Sequence, residues 1–195
     1  MWRWLFITVV ALGAWHFWST REVAHPAGVL IATEPQQTAL GERAPGLSKR
    51  GYRIQPLQRF SLDARVLGAE RYWLDRGADL APVDLALGWG PMSDSAVLGQ
   101  ITISQSGRFY FWHVDRFPIP RHDIESNSAN MHLIPADATV ESAMKSVRAG
   151  QLVHISGYLV EVTGTDGWRW RSSLRRDDTG NGACELVWVE ELQVH

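Results

Sequence analysis

Cys184 is the only cysteine in the chain, and a thiol becomes a nucleophile when a neighbouring imidazole draws off its proton. A Cys/His site would use Cys184 as nucleophile, His132 as general base, and Asn130 or Asp123 to orient the imidazole. Its chemistry would be that of a hydrolase or transferase. All members but the thiol come from one polar stretch, RHDIESNSANMHLIPAD at 121–137, which reads as a loop-rich segment of the kind that often carries function. Against this stands a plainer reading of Cys184, as a small buried hydrophobe on the strand face of Leu186 and Trp188. The same stretch offers His122 and His132 as metal ligands, with a carboxylate of Asp123 or Glu125, donors that suit zinc. Ten residues separate the two histidines, so the segment would have to fold back on itself. The spacing matches no specific metal motif, and no cofactor is expected.

A second kind of chemistry is recognition by charge and aromatic surface. Trp168 and Trp170 alternate with Arg169 and Arg171, and Arg175 and Arg176 follow. On a strand this alternation sends the indoles to one face and the arginines to the other. The arginines then suit carboxylates, anionic headgroups or a protein partner, while the divergence of the two sets does not suit single-stranded nucleic acid. Trp89, held between Gly88, Gly90 and Pro91 in a turn, is a candidate for stacking on a ligand, with core packing as the plainer role. A net charge of −2, with 45% hydrophobic and 21% charged residues, describes a folded globular chain and argues against a dedicated nucleic-acid binder.

The elements that must position these residues read as mostly β. Residues 60–79 are expected as strands. ITIS and RFYFWHV form a pair, the second apolar on both faces and therefore central. Val140, Ala143, Met144 and Val147 follow helical spacing, with Thr139 as N-cap and Gly150 past the end. Residues 151–162 and 168–174 are strands about a turn at 163–167, and 183–194 is the last strand. The G-x-x-V-x-I-x-G pattern points to an OB-like barrel. Two segments, the 121–137 stretch and the 172–185 turn, are expected to meet through Arg175 or Arg176.

SNSANMHLIP at 126–135 and DTGNGACE at 178–185 resemble an uncharacterised group of bacterial single-pass membrane-anchored proteins, a resemblance that implies no activity and no site residues. The N-terminus agrees with it. Residues 2–19, WRWLFITVVALGAWHFWS, form an apolar run edged by tryptophans, long enough for a span and followed by no good cleavage site. Arg3 and the amine before the run favour a cytoplasmic N-terminus, with the remainder beyond a bacterial inner membrane, in the periplasm. The expected division is a transmembrane signal anchor at 1–20, a Pro/Gly-rich tether at 21–58 in which GVLIAT could add a strand, and a β-rich domain at 59–195. The function this organisation implies is an envelope binding or assembly module, partnered by an envelope protein or an anionic ligand, with the Cys/His enzyme as its alternative.

Overall fold

The computed structural model describes residues 2, 4, 6–8, 10, 13, 21–41, 46–175 and 184–195. It is mostly β. The described positions from Trp2 to Gly13 are helical, and Thr8 Oγ1 donates to the Trp4 carbonyl at 2.9 Å. Among the described residues, no helix is long and apolar enough to cross a membrane.

Strand β3 (Tyr52–Arg71) organises the rest. From Phe60 to Val66 every second residue is apolar and buried, the period-2 pattern of a strand with one face on the core. Its register shifts once between Pro56 and Gln58 and again between Val66 and Gly68. Such bulges bend a strand, and the bends let β3 pair with β8 (Leu152–Thr163) along 53–65 and with β4 (Val83–Gly88) along 65–71. β4 continues antiparallel to β7 (Ser128–Pro135), β7 runs parallel to β10 (Glu185–Val194), and β10 is antiparallel to β8. The hydrogen-bonded order β3–β4–β7–β10–β8 therefore returns to β3. Leu62, Leu85, Leu133, Ile155 and Val187 fill the interior of this ring.

The helix Ala138–Ser146 joins β7 to β8 and buries Val140 and Met144. Its N-cap is Asp137, whose carboxylate accepts from Val140 N at 2.9 Å, rather than the expected Thr139, which lies inside the helix. The expectation for 121–137 is corrected more deeply. This stretch is a short helix, Arg121–Ser126, followed by the buried strand β7, because Ala129, Met131, Leu133 and Pro135 supply one strand face while Ser128, Asn130 and His132 meet Tyr110, Gln105 and Asp84 on the other.

RFYFWHV is likewise not central. β5 (Thr102–Ser106) and β6 (Phe109–His113) form a separate two-stranded hairpin. Trp112 turns toward the body with Ile103, whereas Phe109 and Phe111 remain 39% and 52% exposed. Part of the expected tether belongs to the sheet: β1 (Gln36–Ala39) pairs with β3 at 58–61, β2 (Leu47–Lys49) pairs with 52–54, and β3 itself begins at Tyr52. GVLIAT is not a strand. Its backbone is held by side chains and irregular hydrogen bonds around Gly90 and Ser93.

Candidate functional site: a covered carboxylate and imidazole cluster

On the sequence VDLALG, Val83, Leu85 and Leu87 enter the core, so Asp84 must point to the outside of the ring. β7 does the same with Met131 and Leu133 inward and Asn130 and His132 outward. The register places Asp84 opposite His132 and Ala86 opposite Asn130, close enough for side chains to meet. His132 Nδ1 lies 2.9 Å from Asp84 Oδ2. The two atoms approach without a well-aligned hydrogen bond between them. Both side chains are covered: Asp84 is fully buried and the His132 side chain is 5% exposed.

The cover comes from the β5–β6 hairpin and β9 (Arg169–Arg171). The hairpin turns through Gly107 and Arg108, both at positive φ (58° and 73°), the conformation of a tight two-residue turn. A non-glycine residue there is uncommon, and it sends the Arg108 side chain back onto the ring. Arg108 Nη1 donates to Asp84 Oδ1 and to the Ala81 carbonyl, each at 2.8 Å, while Nη2 donates to Asp75 Oδ1 at 2.9 Å. The guanidinium lies 3.8 Å from the Tyr72 ring centroid. Asn130 accepts from Gln105 Nε2 at 2.9 Å and donates to the Arg108 carbonyl at 3.1 Å. Trp170 closes the remaining side, its ring 4.9 Å from that of His132.

The electrostatics follow from this packing. Burial alone would raise the Asp75 carboxyl, but the hydrogen bonds and charge of Arg108 outweigh it and hold the group below its ordinary value. Burial raises the Tyr72 phenol. It also pushes Tyr110, whose hydroxyl meets Ser128 Oγ at 2.9 Å, up to about 12. A carboxylate holding a histidine at Nδ1 is the arrangement that orients a general base. Here the imidazole is roofed by an indole and a hairpin, and the carboxylate beside it is shared with an arginine.

The remaining expected site residues scatter. His122 is exposed on its helix, far in register from the covered His132, and among the described residues no group of three or more His, Cys, Asp or Glu could hold a metal ion. Asp123 lies in the first turn of that helix, and Glu125 pairs with Arg121 at 2.8 Å. Trp89 is 2% exposed within the core, so a stacking role is corrected to packing. Arg169 and Arg171 both grip Glu161, each at 2.5 Å, while Trp168 and Trp170 pack on the other face. Arg175 is held at its backbone by Ser173 Oγ. Arg176 lies outside the described residues, as does most of the 172–185 turn. Cys184 immediately precedes β10, whose register sets Glu185 opposite Met131 and Leu186 opposite His132.

Sequence reasoning missed Asp84, Arg108 and Asp75. One signal was present: a lone carboxylate inside the apolar run VDLALG demands a buried partner. Nothing local in the sequence says that the partner is Arg108, 24 residues on. Comparison with protein-family models, with curated proteins and with solved structures gives no match.

Proposed function

We propose that the chain is a membrane-anchored binding or assembly module of the bacterial envelope, spanning the inner membrane once through residues 2–19 and presenting its folded part in the periplasm. The ring of five strands is on this reading an OB-like barrel. Three strands in meander, a helix before the fourth, and a parallel pairing of the third with the fifth support that assignment. The observation that carries the functional reading is the fate of the polar residues. Asp84, His132, Asn130, Arg108 and Glu161 are engaged with one another or with the chain and are covered or clasped. Among the large apolar side chains, Trp73 and Leu74 in the β3–β4 loop, Phe109 and Phe111 on the outer hairpin face, and Phe117 beyond it stay exposed.

In OB-like barrels the outer face of the second and third strands is the usual ligand face. Here β4 and β7 hold those places, and the chain's own hairpin lies over them. The hairpin's outward aromatic side therefore replaces the barrel as the surface for a partner. The membrane part of the reading is tested by fusing alkaline phosphatase to the C-terminus. An active fusion that stays with carbonate-washed membranes is expected. Activity only with a cytoplasmic reporter, or a chain released into the soluble fraction, would overturn it.

A further inference from the structure

Residues 22–31 contain neither helix nor strand, yet they are bonded to the body along their whole length. Val23 N donates to the Ala149 carbonyl at 2.9 Å, and His25 Nε2 meets the Gly150 carbonyl at 2.7 Å. Gly28 N donates to Asp94 Oδ1 at 2.8 Å, Leu30 N and Ile31 N share Ser93 Oγ at 3.0 Å, and the Ile31 carbonyl accepts from Gly90 N at 2.7 Å. Glu22 reaches the buried guanidinium of Arg65 at 3.6 Å. Ser93 is fully buried, so its paired acceptor role is part of the fold. Gly150 sits at φ +85°, and a Cβ there would run into the Val23 carbonyl. The segment is a seated strap.

The sequence leaves four residues from Ser19, the end of the apolar run, to Val23, a reach of at most about 14 Å. We infer that the domain is held directly on the headgroup layer of the bilayer, with the Ala149–Gly150 turn facing the membrane and the Thr163–Gly167 end of β8 turned away. This rests on the membrane-anchored reading above. Arg21 and Arg148 lie on the chain beside that turn, a basic fringe suited to anionic headgroups. The far end of β8 lies up to about 36 Å away along the strand, so a partner meets the molecule at a set height and from a set side.

The test uses the full chain with Cys184→Ser, reconstituted in phosphatidylethanolamine/phosphatidylglycerol vesicles carrying headgroup nitroxides. A fluorophore is placed at Ala24→Cys, exposed on the strap, or at Thr165→Cys, at the far end. Strong quenching at 24 and little at 165 is expected. A Gly-Ser insert of about six residues after Arg21 adds up to about 20 Å of slack without touching a strap contact, and it should erase the difference. Equal quenching at both sites in the parent chain, or an insert without effect, would overturn the inference. Loss of the parent chain from the vesicles would instead overturn the anchored reading on which it rests.

Discussion

Asp75 and Arg76 are neighbours in the chain and belong to two opposite clusters. Asp75, its own side chain 45% exposed, reaches in to Arg108, whose side chain is 16% exposed and whose other partner, Asp84, is fully buried. Arg76 turns outward, stacks over Trp168 at 4.7 Å and makes a bidentate pair with Asp166, both partners well exposed. The residue types are the same; what differs is water. In the covered cluster a deleted partner leaves a charge with nothing to solvate it, whereas in the open one water takes the vacated place. The difference separates residues that hold the fold from those that decorate it, and it bears on function because His132 lies on the covered side.

The strongest way to break this contrast is Arg108→Ala. It strands Asp84, and equilibrium denaturation should register a loss of about 3–5 kcal/mol, the cost of an uncompensated buried charge. Replacing Asp84, Arg108 and His132 together with Leu, Met and Phe should recover much of that loss. A simple Arg108→Ala phenotype no larger than a surface substitution would dissolve the distinction. His132→Phe comes next. It keeps a ring against Trp170 but removes the ring nitrogen that lies 2.9 Å from the buried Asp84 Oδ2, and the expected cost is roughly 1–3 kcal/mol.

Glu161 sharpens the comparison through pH. The hydrogen bonds of Arg171, then those of Arg169, lower its carboxyl from the ordinary 4.5. A depressed acid stabilises the fold fully above its unfolded value and loses that contribution as pH falls through the folded one. The stability gap between the parent chain and Glu161→Gln should therefore be complete at neutral pH and close in acid below pH 4.5, measured as denaturation midpoints. A gap that widened in acid would contradict the assignment. The smallest effect belongs to Arg76→Ala. Its loss should be slight at low salt and vanish near 1 M, where screening acts over about 3 Å.

Much of the β content was legible because Phe60–Val66 and Val153–Leu159 carry period-2 patterns, and the 138–146 helix carries its i, i+3, i+4, i+7 spacing. The hairpin was legible as a pair but not in its placement. Apolar residues on both faces of RFYFWHV imply a central strand only if both faces are covered, and the outer one is not. β7 was hidden in SNSANMHLIP because its polar positions point at a neighbouring element rather than at water, so the segment mimics a loop. The cluster was illegible for a related reason: Arg108 reaches Asp84 only through a turn at positive φ, and Ser-Gly-Arg says where the chain turns without saying what it covers.

The central claim, that the covered cluster is structural and the outer hairpin face meets a partner, is tested most directly by photocrosslinking in cells. With benzoylphenylalanine in place of Phe111, a discrete crosslinked adduct is expected, and it should disappear when the probe is moved to Ile103 on the inward face. No adduct from Phe111, or the same adduct from both positions, would contradict it.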